Sequence, residues 1–173
     1  VTINQIIERE YDKIMKRTMS RPLPTGVLSN QEASVYAVLV GAAGLLLRFF
    51  FTNLMTTSLA FLSLLLYSFA YTPLKRVGPI AVFVGAIPGA LPPLLGWTAA
   101  TNAVGQEAAI LFFIQFIWQF PHFWAIAWVA DEDYTKAGFR LLPNNGHKDM
   151  RTAFNIMIYA LFLIPLGLLP MIV

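Results

Sequence analysis

Ala108-Ala-Ile-Leu-Phe-Phe-Ile-Gln115-Phe-Ile-Trp118-Gln-Phe-Pro121-His122-Phe-Trp124-Ala-Ile-Ala-Trp128-Val129 contains no aspartate, glutamate, lysine or arginine. As an α-helix this run would be about 33 Å long, enough to cross a hydrocarbon core of about 30 Å. Runs of the same kind lie on both sides of it. Together they predict five membrane spans: Ala33–Leu47, Leu54–Tyr71, Pro79–Ala100, Ala108–Val129 and Ala153–Val173. The chain of 173 residues is 57% apolar and 12% charged, with a mean hydropathy of +0.64. That is about half the charge of an average soluble domain, too little to coat a water-soluble globule, and disorder carries the opposite bias. The expected fold class is therefore all-α: a polytopic transmembrane helical bundle, one domain over residues 1–173.

Composition also excludes several functions. The net charge is only +3, with bases interleaved among carboxylates, so no nucleic-acid partner is expected. Without cysteine there is no disulfide, thiolate zinc site, iron–sulfur cluster or thiol nucleophile. No signal-peptide pattern stands at the start. The sequence opens in what reads as the end of a helix and stops inside an apolar run, so it is read as a piece of a longer membrane protein. Ser29 and Glu32 have capping-box spacing and should start the first span, whose short apolar run ends at Arg48, a side chain long enough to snorkel.

Five spans force the connections onto alternating sides. One side receives Arg9, Lys13, Lys16, Arg17, Arg21, Lys75, Arg76, Lys136, Arg140, Lys148 and Arg151, and the other Arg48 alone. This asymmetry fits the positive-inside rule and makes the rich side cytoplasmic, as in a bacterial cytoplasmic membrane. The carboxylates divide the same way, with only Glu107 opposite, although orientation does not demand it. A polar site on the inner face follows.

Asn4, Glu8 and Asp12 recur every four residues and form one row on a helix, spread over about 12 Å. Such oxygen ligands suit Mg²⁺, which takes carboxylates plus water and shares itself with substrate phosphates. Arg17 and Arg21 follow, carrying the group best shaped for bidentate phosphate contacts. The same residues also suit a solvated helix end with ion pairs Glu8–Lys13 and Asp12–Lys16. A second acidic cluster, Asp131-Glu132-Asp133, is either a polar cap or, paired with the first, a second set of metal ligands. Lys75 and Arg76 would then neutralise a diphosphate, and bound metal would stabilise its developing charge. Three prolines and three glycines between Gly85 and Gly96 should kink or break the third span, either for packing or to line a cavity. His122 is an ionisable group inside an apolar span, which ordinarily faces the bundle interior; it is a heme-ligand candidate or a core or interface residue. His147 reads as a solvated loop residue.

At the level of motifs the chain resembles the intramembrane UbiA-type prenyltransferases, and among them the heme-farnesylating branch. The matching residues are Asn4, Glu8 and Asp12, then Arg17-Thr18 and Arg21-Pro22-Leu23, then Tyr71-Thr72 with Leu74-Lys75-Arg76. They continue through Gly89, Pro92-Pro93 and Gly96-Trp97, Pro121-His122-Phe123-Trp124, Asp133-Tyr134, Ala137-Gly138 and Leu141-Leu142-Pro143. Glu8 departs from a commoner aspartate, and Arg140 stands where proline is common. The resemblance implies an Mg²⁺-dependent enzyme that moves a farnesyl group from farnesyl diphosphate to a vinyl group of heme b. Water adds, and diphosphate leaves. Implied metal ligands are Asn4, Glu8, Asp12, Asp131 and Asp133, with Glu8, Asp12 and Asp133 carrying catalysis. Implied substrate contacts are Arg17, Arg21, Lys75, Arg76, His122 and Tyr134. Implied partners are membrane lipid and downstream heme-modifying or terminal-oxidase assembly proteins. Against the family's roughly nine helices, the chain would lack the first, most of the second and the last ones. Two other readings stand beside this one: a prenyltransferase for an aromatic quinone precursor or other lipid acceptor, and a transporter or heme-binding scaffold with broken mid-membrane helices.

Overall fold

A computed structural model describes residues 1–172, apart from the side chain of Asn145; Val173, the end of the expected fifth span, lies outside them. The described residues are helical and contain no strand. Two short helices, α1 (Thr2–Ile7) and α2 (Arg9–Asp12), precede a loop and α3 (Asn30–Phe51). Next comes α4 (Leu54–Leu65), which runs through a π-helical turn (Leu66–Tyr71) into α5 (Thr72–Leu74). Two long helices follow, α6 (Ile80–Thr101) and α7 (Gln106–Val129). The short α8 (Asp131–Lys136) and α9 (Pro143–Gly146) lead into α10 (Met150–Leu168), extended by a 3₁₀ turn, Leu169–Met171. Five of these segments are long and apolar enough to cross a membrane, so the protein is an integral membrane protein.

The helix starts follow from local chemistry. The Ser29 side chain accepts from the Glu32 N–H and the Glu32 carboxylate accepts from the Ser29 N–H, closing the expected capping box. Asn53 and Asp149 cap α4 and α10 through the N–H groups of Thr56 and Thr152. The first span is longer than its apolar run suggested: α3 continues past Arg48 to Phe51. Ten of the twenty-two residues of α6 are buried, whereas α3 buries only Ala33. Helix α6 is thus the axis of the bundle, packed between α4 with its π turn on one side and α7 on the other, with α10 against α7. At the end away from the Asn4, Glu8 and Asp12 row, Thr56 donates to Thr98 at 2.9 Å and Asn53 Nδ2 to the Thr98 carbonyl at 2.7 Å, locking α4 to α6.

The expected break in the third span does not occur. Helix α6 is continuous through Pro88, Pro92 and Pro93. A proline lacks the N–H that would bond the carbonyl four residues earlier, so Pro93 frees the carbonyl of Gly89. Gln119 of α7 donates Nε2 to that oxygen at 2.8 Å, supplying from a neighbouring helix what the proline withholds. A Cβ at Gly89 would lie 2.6 Å from the Gln119 amide carbon, so glycine is what admits the clamp. Gln119→Leu should cost about 1–3 kcal/mol through the orphaned carbonyl. On a Pro93→Ala background, where residue 93 again donates, the cost should shrink. Thermal unfolding of the four proteins in detergent measures both numbers; equal costs would show that the Gly89 oxygen is not what Gln119 serves.

Candidate functional site

The row Asn4, Glu8, Asp12 crosses the junction between α1 and α2, where Glu8 takes φ −96°, ψ 7°. The four-residue ladder survives it: the Glu8 N–H bonds the Asn4 carbonyl at 2.9 Å, and the Asp12 N–H bonds that of Glu8 at 2.8 Å. All three side chains are buried, Asp12 to 1% exposure. They share the wall of one cavity of about 200 Å³ with Arg17, Arg21 and Lys75. Lys75 Nζ lies 2.9 Å from Glu8 Oε1 and 3.0 Å from Oε2, and Arg21 lies 3.0 Å from Asp12 Oδ2. Only Oε2 is aligned with Lys75 for a hydrogen bond, and Oε1 is buried without one. The solvated pairs anticipated for a plain helix end are not formed. Glu10 binds Lys13 at the surface, and the two row carboxylates hold bases 9 and 67 residues away.

The remaining wall is largely aromatic; Tyr134 was an expected substrate contact, and Tyr67 and Phe139 are the aromatic residues that the sequence did not single out. Tyr67 and Tyr71 come from the π turn, Phe123 from α7, Tyr134 from α8 and Phe139 from the loop after it. Lys75 Nζ sits 4.9 Å from the centre of the Tyr71 ring, a cation–π contact that holds the ammonium over the cavity. Gly138, at φ 74°, closes α8 with the bonds Phe139 N–H to Tyr134 carbonyl and Gly138 N–H to Thr135 carbonyl. That left-handed cap folds Phe139 back against Tyr134 and Tyr11. Tyr71 can lie against α6 because Gly85 offers no Cβ there; one would fall 2.5 Å from the ring. Burial pushes the Tyr134 phenol above its ordinary range, so it stays a neutral hydrogen-bonding group.

Through Tyr67 and Phe123 the polar cavity adjoins a larger apolar groove of about 540 Å³. Its walls include Val40, Gly41 and Gly44 of α3, Leu64 of α4, and Gly85, Pro88 and Gly89 of α6, with Arg48 among its lining. Of the glycines and prolines of the third span, Gly85, Pro88 and Gly89 line the groove, and Gly85 and Gly89 also admit close packing of Tyr71 and Gln119.

Four sequence-predicted residues stand elsewhere. Asp133 is outside the cavity lining; its Oδ2 accepts the Arg17 backbone N–H at 3.1 Å, pinning the arginine loop to α8. That bond holds the Asp133 carboxyl below its ordinary value, so the tether persists at neutral pH and is released only as pH falls through the depressed value. Asp131 is also outside the lining, and no cluster of three or more His, Asp or Glu residues spaced for one metal ion is found among the described residues. Arg76 is exposed and donates to the Tyr11 hydroxyl at 2.8 Å instead of entering the cavity. His122, expected inside the bundle, is exposed and stacked on Trp118 at 4.3 Å. The helical step explains it, because Phe123, turned by about 100°, takes the inward position. Asp133 is linked to the cavity only through the backbone of Arg17, which itself lines the cavity with Asp12.

Sequence comparison covers nearly the whole chain. The UbiA prenyltransferase family model matches residues 1–173. A protoheme IX farnesyltransferase of Cytophaga hutchinsonii is 56% identical over 168 residues, covering 97% of this chain and 59% of the relative. That of Flavobacterium psychrophilum is 48% identical, covering 96% of this chain and 55% of the relative. The mitochondrial protoheme IX farnesyltransferase of Arabidopsis thaliana is 42% identical, covering 96% of this chain and 38% of its own. No solved structure matches. The chain spans about half the length of the curated relatives it matches. A buried Asn/Glu/Asp row facing bases beside an apolar groove, on a chain matched from end to end by one family, leads to one assignment: this chain belongs to the UbiA prenyltransferase family.

Proposed function

We propose that the complete protein transfers the farnesyl group of farnesyl diphosphate to a vinyl group of heme b; relatives of the chain carry the name protoheme IX farnesyltransferase. The observation that carries the reading is the joined pair of cavities, a charged one for a diphosphate head and an apolar one for a prenyl tail. An amphiphilic substrate of that kind matches both at once.

The residues fit a hard divalent cation. Glu8 Oε1 is a buried carboxylate oxygen without a hydrogen-bond partner, and the cavity offers it together with Asp12 and the Asn4 amide. Oxygen donors of this type, few in number, are what Mg²⁺ uses when it shares itself with phosphates. Asn4, Glu8 and Asp12 would hold the ion, while Asp133 serves from outside the cavity by pinning the loop that carries Arg17. Bound there, Mg²⁺ would neutralise charge developing on the leaving diphosphate. Lys75, Arg17 and Arg21 bind diphosphate oxygens from the other walls. Tyr67, Tyr71, Phe123 and Phe139 keep bulk water from the allylic carbon and offer ring faces to its positive charge. The vinyl carbon attacks that carbon as the carbon–oxygen bond breaks. Water then adds to the resulting cation and loses a proton, giving the hydroxyethylfarnesyl group of heme O. On this reading the charged mouth faces the cytoplasm. Downstream heme-modifying or terminal-oxidase assembly proteins would receive the product.

The test supplies the full-length protein with heme b, farnesyl diphosphate and Mg²⁺. Mass spectrometry should show a porphyrin heavier by one farnesyl unit plus water. Transfer to an aromatic quinone precursor with heme unchanged would replace heme as acceptor, and no prenyl transfer at all would sink the enzyme reading.

A further inference from the structure

We propose that Thr72 is a positioning residue that fixes which end of the Asn4 amide faces the cavity. It deepens the reading above and rests on Asn4 being a metal ligand there.

The argument is a count of protons. Thr72 is the first residue after the π turn and is 1% exposed. Its hydroxyl sits between two groups, the Tyr67 carbonyl at 2.9 Å and the Asn4 amide nitrogen at 3.1 Å. A hydroxyl has one proton to give, and a carbonyl can only accept. The proton therefore goes to Tyr67, five residues back across the turn. What Thr72 presents to Asn4 is a lone pair, and only the NH₂ end of an amide can satisfy it. With Nδ2 held in this way, Oδ1 is the end left to face the cavity that Asn4 shares with Glu8 and Asp12. An oxygen is what a hard cation requires, and an amide turned the other way would aim two N–H donors at it. Thr72 does not itself line the cavity. The π turn has a role in this arrangement, because it brings the Tyr67 carbonyl onto the Thr72 hydroxyl. Partners behind metal ligands generally set metal affinity in this manner.

Thr72→Val keeps the side-chain shape and removes the hydroxyl. Mn²⁺ titrated into the full-length protein in detergent, with a non-reactive farnesyl diphosphate analogue present, is followed by the EPR signal of the free ion. Thr72→Val should weaken Mn²⁺ binding about 10–100-fold, and Thr72→Ser should recover most of the loss. Asn4→Asp supplies the control, because a carboxylate presents oxygen from either end. On that background Thr72→Val should cost no Mn²⁺ affinity. Unfolding temperatures of all variants separate folding loss from binding loss. If wild type binds Mn²⁺ and Thr72→Val binds it equally well, the assignment is overturned. A Thr72→Val loss of the same size on the Asn4→Asp background would also overturn it, since Thr72 would then act through packing. Wild type that binds no Mn²⁺ would instead remove the metal reading itself, and the role of Thr72 with it.

Discussion

Asp12→Asn in the complete protein is expected to lower farnesyl transfer by about 10²–10³-fold, the usual loss when a preorganised group facing developing charge is removed. Asparagine keeps the size of the side chain and one oxygen, so the 1%-exposed position stays filled. What disappears is the negative charge, both toward a bound cation and toward Arg21 at 3.0 Å. Arg21 is 32% exposed, so water screens it and the lost pair should cost only about 1 kcal/mol of stability. The effect therefore falls on chemistry and not on folding. Two measurements separate them: turnover by mass spectrometry, and heme binding by absorbance titration, which should be unchanged because nothing ties Asp12 to the porphyrin. Turnover within tenfold of wild type would mean that the row carries no catalysis. Loss of heme binding together with turnover would point to a general collapse of the mouth.

The fold was legible because it depends on quantities that sequence carries directly. Span length and the Ser29/Glu32 box are local or compositional, and all five spans are found within a few residues of their expected places. The Asn4/Glu8/Asp12 row was legible for the same reason, since four-residue spacing survives even the break at Glu8. Partner choice was not, because it is tertiary. Nothing near Glu8 in the chain indicates Lys75, and the nearer Lys13 is taken by Glu10. Tyr134 of the aromatic wall was legible, whereas Tyr67 was hidden because the π turn sets its direction, and no periodicity announces a π turn. Its one visible trace was Pro73, just after it. The prolines of α6 leave the helix unbroken, because the proline rule is local whereas the remedy, Gln119, lies on another helix. His122 misled because burial was inferred from its apolar surroundings, when the helical step had turned Phe123 inward and left the histidine on Trp118.

Lys75→Met should destabilise the complete protein by about 3–5 kcal/mol, the cost of breaking a buried pair and stranding one charge. The Glu8 side chain is 7% exposed and that of Lys75 13%, so solvent screens neither. Methionine can follow the apolar stem of lysine but leaves the Glu8 carboxylate with no cation within 4 Å among the described residues. The double variant Glu8→Gln, Lys75→Met removes both charges and should regain most of the stability, since replacing a whole buried pair with neutral groups is often harmless. Farnesyl transfer should be lost in the single and the double variant alike, because the restored fold lacks both a carboxylate and the ammonium opposite it. That divergence, stability recovered and activity not, is what a site within a bundle predicts and a purely structural ion pair does not. The neighbouring base supplies the contrast. Arg76 is exposed and engages the Tyr11 hydroxyl and ring, so Arg76→Met should change stability by no more than about 1 kcal/mol. Thermal unfolding in detergent orders the four proteins. If Lys75→Met melts where Arg76→Met does, the Glu8–Lys75 pair is not a buried one, and the cavity loses the electrostatic argument on which its assignment stands.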